Sequence, residues 1–212
     1  MTTEILLAQT SLPLLLKHAA ISTWHELPRV AALGLISLVA AVPLAVSMLF
    51  APLWISGLAT LPLTLLATGL AGFSATIARA DKPKLRDGLR FDPVLAISLS
   101  VIATALAEAV TVGGGVAIAA SVLAAVALVL APYTLAYGAV RGRRGFSAWR
   151  GAAILVAFRP GAALTVLALA CIGGFAVVAS AGALAVVVPC ILSVFACAVV
   201  GHLLETIDGM TR

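Results

Sequence analysis

Charge is scarce in this sequence: Asp, Glu, Lys and Arg are 10% of its 212 residues, where a soluble domain carries about a quarter. Aromatic residues are also few, at 6%, while hydrophobic residues reach 63% and the mean hydropathy is +1.20. A chain so poor in charge needs a bilayer as its solvent. No polar stretch is long enough to fold separately, so residues 1–212 form a single transmembrane domain. Cysteine is limited to Cys171, Cys190 and Cys197, which lie in apolar runs without CxxC or Cys/His spacing. That excludes a thiolate metal site and makes them small packing residues. His18, His25 and His202 form no helical HxxxH pair, so no metal is expected on them either. A basic n-region is missing too. Glu4 stands near the start and no small-residue cleavage site follows, so no removable signal peptide is expected.

What is present is a series of long apolar runs. A helix needs about 20 apolar residues to cross roughly 30 Å of hydrocarbon. Six runs meet this, approximately Arg29 to Ala51, Ser56 to Ala78, Pro93 to Val112, Val116 to Ala139, Pro160 to Ser180 and Ala183 to Leu204. They are continuously apolar instead of alternating, which implies helices and not barrel strands. Pro43, Pro62, Pro132 and Pro189 fall inside them and predict kinks.

Orientation follows from the basic residues, which are retained on the cytosolic side. All 13 Lys and Arg lie before the first run, around the 79–90 connector, in the 141–159 connector or at Arg212. The alternate connections, near Pro52, at Gly113 to Gly115 and around Ala181 and Gly182, have none. Both termini are therefore expected in the cytosol. The basic-free connections are short, so the runs pair as three antiparallel hairpins.

An internal repeat is expected from the prolines. Pro28, Pro93 and Pro160 each open a run, spaced by 65 and 67 residues, and a helix's first turn tolerates the missing N–H. Before each lies a short segment with the pattern of a cytosolic interfacial helix. In the first, Leu16, Ala20, Trp24 and Leu27 share a face; in the last, Phe146, Trp149 and Ala153 oppose Arg143, Ser147 and Arg150. The middle one, with Leu85 and Leu89 beside Lys84, Arg86 and Arg90, is weakened by Gly88. The expected fold is thus all-α and polytopic, with repeat units of approximately 12–80, 81–145 and 146–205.

This order resembles the YesL-like family of bacterial six-helix membrane proteins, whose domain is of unknown function. The resemblance rests on Trp24 in an amphipathic segment ahead of the first span, the charged connector from Arg79 to Pro93, the stretch Ala148 to Pro160 and the tail at His202 to Glu205. Members are often encoded beside sugar ABC-transporter components. The resemblance therefore implies a bacterial plasma-membrane location and a partnership with ABC-transporter permease subunits.

Among residues that could carry chemistry, Glu108 is the one carboxylate well inside a run. At 1.5 Å per residue from Pro93 it stands about 22 Å from the inner boundary. Two readings are open: a carboxylate hydrated near the outer surface or bonded to a neighbouring helix, and an ion or proton relay. No second ionisable residue at that depth completes a relay. Trp24, Arg86, Arg90, Arg143, Arg144, Phe146, Trp149, Arg150 and Arg159 are candidate contacts to anionic lipid headgroups or a partner. A nucleic-acid reading of this basic, aromatic strip conflicts with its place beside a span, so no nucleic acid is expected. Gly113-Gly114-Gly115 follows no strand and precedes no Lys-Ser/Thr, so it reads as a turn and not a phosphate loop. Gly69-Leu70-Ala71-Gly72-Phe73-Ser74 and Gly173-Gly174 read as helix-packing surfaces.

Paired Asp residues, a Ser with His or Lys, and a His cluster at membrane depth are all missing, so no catalytic site and no cofactor are expected. Two functions remain. The first is a non-catalytic accessory or scaffold subunit associated with a carbohydrate ABC transporter. The alternative is an autonomous small transporter or channel using Glu108, with Thr60, Thr64, Thr68, Ser98, Thr104 and Thr111 as candidates for a polar path. Ser and Thr also bond back to their own helix, which would close such a path.

Overall fold

The computed structural model describes residues 21, 24, 26–50, 53–79, 88, 91–112, 114–180 and 182–210, and every regular element among them is helical. In chain order these are α1 (Leu27–Phe50), α2 (Leu53–Ala59), α3 (Leu61–Ala78), α4 (Pro93–Val112), α5 (Gly114–Arg141), α6 (Phe146–Phe158), α7 (Pro160–Ala179), a 3-10 turn (Ala183–Val186) and α8 (Val188–Met210). Among the described residues five stretches are long and apolar enough to cross a membrane: Leu27–Phe50, Ile55–Ala78, Gly114–Arg141, Pro160–Ala179 and Val188–Gly209. The chain is an all-α, membrane-embedded protein.

Proline sets several boundaries. Pro28 is the second residue of α1, and Pro93 and Pro160 are the first of α4 and α7, positions whose N–H has no helical acceptor. Two of the expected kinks take another form. Pro62 falls in the first turn of α3, so the second run is divided by a turn at Thr60. Pro189 is likewise the second residue of α8, so the last span begins at Val188 and not at Ala183. A proline ring clashes with the carbonyl four residues earlier, and the Ala183–Val186 stretch winds as a 3-10 turn after Gly182, whose φ is +87°. Pro43 and Pro132 do lie inside their helices.

α3 and α8 sit at the centre, packed on each other and both on α5. One core cluster joins Tyr133, Ala152, Leu155, Val200 and Leu203; the other joins Val30, Leu33, Phe73, Cys190 and Val194. Lipid supplies no hydrophobic drive between helices, so close packing must hold them. Small residues permit it. A β-carbon at Gly34 would strike the Val186 carbonyl, one at Gly57 the Thr104 side chain, one at Gly69 the Gly88 carbonyl and one at Gly151 the Tyr137 ring. Gly69 and Gly173 thus have the expected packing role, whereas Gly174 faces open space. Cys190 and Cys197 are buried, the latter donating to the Ala71 carbonyl at 3.6 Å, but Cys171 is exposed.

The helix before Pro160 is present as α6, with a different buried face from the one its pattern suggests. Ala148, Gly151, Ala152 and Leu155 are buried, while Phe146 is 81% exposed and Ala153 is exposed. Small side chains let α6 lie close on α5, and that contact outweighs the apolar area of Phe146. Of the segment before α1, Ile21 and Trp24 are helical and exposed. His18, His25, Lys84, Leu85, Arg86, Leu89 and Arg90 lie outside the described residues.

Candidate functional site

The basic residues gather where several helix ends meet. α3 stops at Ala78, and Arg79 just beyond it sends Nη2 to the Val140 carbonyl at 2.6 Å. Val140 belongs to the last turn of α5, whose carbonyls have no partner within their own helix. A guanidinium there satisfies one of them and meets the negative end of the helix dipole. Arg141, which ends α5, ties it to α8 through Asp208 at 2.7 Å.

The chain then turns sharply through Gly142-Arg143-Arg144-Gly145 into α6. Both glycines have positive φ, +65° and +57°, where a β-carbon is strained. Gly145 is buried, and its N–H donates to Asp92 Oδ2 at 3.1 Å. The same carboxylate caps α4, Oδ1 accepting from the N–H groups of Val94 and Leu95 at 3.1 and 3.2 Å. The Asp92 N–H in turn donates to Thr68 Oγ1 at 3.1 Å. Asp92 therefore locks the start of α4 to α3 and to the α5–α6 turn.

These elements enclose a cavity of about 270 Å³ whose lining includes Thr76, Arg79, Phe91, Asp92, Arg143 and Arg144. Three arginines and one carboxylate are thus among its lining residues, and that carboxylate already accepts three backbone hydrogen bonds. Such a site attracts an anion. No protein-family model, no curated protein and no solved structure matches this chain.

The candidate contacts divide between this pocket and its surroundings. Arg143 and Arg144 line it. Phe146 stands exposed just past Gly145, and Arg150 is exposed on α6. Trp149 is half-buried and donates Nε1–H to Ser98 Oγ at 3.0 Å, joining α6 to α4. Arg159, half-buried, links α6 to α7. Trp24 is 74% exposed, and Arg86 and Arg90 lie outside the described residues. Arg79 and Asp92 were not among the sequence candidates. An Asp directly before a helix-opening proline is itself an N-cap signal; nothing local marks Arg79, whose partner Val140 is 61 residues away.

Glu108 does not join the pocket. It is exposed on the outer surface of α4, and its carbonyl accepts the Thr111 hydroxyl at 2.7 Å. All six hydroxyls considered for a polar path donate to carbonyls of their own helical segment: Thr60 to Gly57, Thr64 to Thr60 and Leu61, Thr68 to Leu65, Ser98 to Leu95, Thr104 to Ser100, and Thr111 to Glu108. Thr64 also meets Ser100 Oγ at 2.9 Å, bridging α3 and α4. Their polarity is spent on packing. Among the described residues no group of three or more His, Cys, Asp or Glu side chains is placed to hold a metal.

A second cavity, of about 310 Å³, opens between α3, α5, α7 and α8, lined by residues such as Leu128, Pro132, Leu167, Pro189 and Leu192. Its lining is almost wholly apolar.

Proposed function

We propose that this protein is a non-catalytic accessory or scaffold subunit of the bacterial plasma membrane, with six spans and both termini in the cytosol. In this reading Pro93–Val112 is the sixth span, its 20 residues giving a helix about 30 Å long. The six spans pair as three hairpins, and the pocket formed by Arg79, Arg143 and Arg144 faces the cytosol by the rule that basic residues stay inside.

The observation that carries the accessory reading is the back-bonding of every hydroxyl considered for a polar path, with Glu108 turned outward. A transporter needs polar groups converging on a shared space near the middle of the bilayer. Here the fully buried side chains include Phe73, Tyr133, Val194 and Val200, and the cavity between α3, α5, α7 and α8 has an almost wholly apolar lining. The outer half of α1 supports the same reading, since Val39, Val46, Met48, Leu49 and Phe50 are exposed there and form an apolar surface for lipid or a partner's helices. Partnership with the permease subunits of a carbohydrate ABC transporter follows from the resemblance to the YesL-like family.

The test is purification of the tagged protein from its native host in mild detergent, with mass spectrometry of what accompanies it. Stoichiometric permease, ATPase or solute-binding subunits support the reading. Recovery of this chain alone, with substrate flux in vesicles that contain only this protein, overturns it.

A further inference from the structure

We propose that the pocket between the ends of α3, α4 and α5 binds a phosphate ester through Arg79, Arg143 and Arg144. The proposal rests on embedding in a membrane and is independent of the accessory role. Its basis is charge without a partner. Among the described residues the side chains of Arg143 and Arg144 make no hydrogen bond or ion pair, and both line the cavity. Arg79 commits one donor to Val140, and a guanidinium has five. Asp92 offsets one of the three charges, and its oxygens are already engaged by the N–H groups of Val94, Leu95 and Gly145.

The chemistry of the occupant follows from number and shape. Three arginines against one carboxylate leave about two positive charges, and a phosphate monoester carries about 1.5 to 2 negative ones near neutral pH. A carboxylate would balance only one. Planar guanidinium forks match phosphate oxygens in pairs. The volume, about 270 Å³, lies just under the range of about 300–1,000 Å³ for small-molecule sites. It admits a phosphate and the first carbons of its ester but not a nucleotide. The loop is also held in place: Gly142 and Gly145 bracket the two arginines, and the Asp92 bond anchors Gly145, so little ordering is needed on binding.

Such an ester has two possible sources, the headgroup of an anionic phospholipid and a soluble phosphate ester. Exposed Phe91 and Val94 beside the site give a lipid's glycerol and chains an apolar surface to follow.

The experiment uses the full chain in nanodiscs. In one arm a phosphatidylcholine disc is titrated with phosphatidic acid, whose headgroup is a phosphate monoester, and bound lipid is counted by native mass spectrometry. In the other, glycerol 3-phosphate or inorganic phosphate is titrated by calorimetry onto the protein in pure phosphatidylcholine discs. Saturable binding is expected in at least one arm, weakened about fivefold or more by Arg143→Gln or Arg144→Gln, as for loss of a charge-assisted hydrogen bond. Arg29→Gln, which removes one charge from an arginine paired with Glu26 outside the pocket, should leave it unchanged. Saturation with lipid alone assigns a headgroup site, and saturation with the soluble ligands alone assigns a free ester. Absence of saturation in both arms, or an equal loss from Arg29→Gln, overturns the proposal. Arg79→Gln also removes the bond to Val140, so the Arg143 and Arg144 variants are the decisive ones.

Discussion

Asp92 Oδ2 accepts the buried Gly145 amide at 3.1 Å across 53 residues of sequence, and this one bond joins the first turn of α4 to the turn that carries Arg143 and Arg144. The carboxylate is a helix cap and a loop anchor together. Its oxygens are occupied by backbone N–H groups, and its one charge offsets only one of the three arginines that line the same cavity.

The cap makes a direct prediction. Asp92→Ala should lower stability by about 1–2 kcal/mol, the usual cost of losing an N-cap, read as a lower thermal midpoint in detergent. Asp92→Asn keeps one oxygen for the cap but sets an NH2 donor against the Gly145 amide in place of Oδ2, so it should recover only part of the loss. Full recovery by Asn would mean that the bond to Gly145 contributes nothing.

Steric prediction separates the glycines. Gly34→Ala and Gly151→Ala put a methyl group into the Val186 carbonyl and the Tyr137 ring, an overpacking expected to cost about 1–3 kcal/mol. Gly174 has open space around it, so Gly174→Ala should leave the midpoint unchanged. Detergent melts of the three variants check the order; a Gly174→Ala loss matching the others would contradict it.

Thiol accessibility offers a third check. In detergent micelles N-ethylmaleimide should modify Cys171 first, because it alone of the three is exposed. Cys190 and Cys197 should react only after denaturation. Rapid modification of Cys197 in the folded protein would argue against the packing of α8 on α3.

Trp149 and Ser98 are expected to behave as a pair. Trp149→Phe and Ser98→Ala each remove the 3.0 Å hydrogen bond between α6 and α4, worth about 1 kcal/mol. In a double-mutant cycle the combined loss should fall short of the sum of the single losses. Strict additivity would show that the bond contributes nothing.

Glu108→Gln should keep or raise the thermal midpoint in detergent, because it removes a charge from an exposed position on an apolar helix where a charge is costly. A large loss in a detergent melt would place the carboxylate in a contact that the exposed face of α4 does not provide.

The starts of α1, α4 and α7 were readable from Pro28, Pro93 and Pro160 because a missing N–H and a fixed φ act within one turn. Apolar runs marked the long helices for an equally local reason: each must satisfy its own backbone in hydrocarbon. The start of α8 was misplaced by five residues, at Ala183 instead of Val188, because hydropathy alone cannot separate a 3-10 turn from a helix when both are apolar. The buried face of α6 was also unreadable, since the small residues that win it, Ala148, Gly151 and Ala152, have little hydrophobic signal of their own.

The sequence by itself determined that this chain needs a bilayer, that it is helical and where most of its helices begin, since these depend on composition and on residues within a turn of one another. It also fixed how far along α4 Glu108 stands, because rise per residue is constant. Only tertiary structure decided which way Glu108 faces, because a helix apolar all round has no preferred side until its neighbours pack. The basic pocket was decided there as well: Arg79, Asp92, Arg143 and Arg144 meet through helix ends far apart in sequence, held by hydrogen bonds from Arg79 to Val140 and from Gly145 to Asp92 that no local pattern encodes.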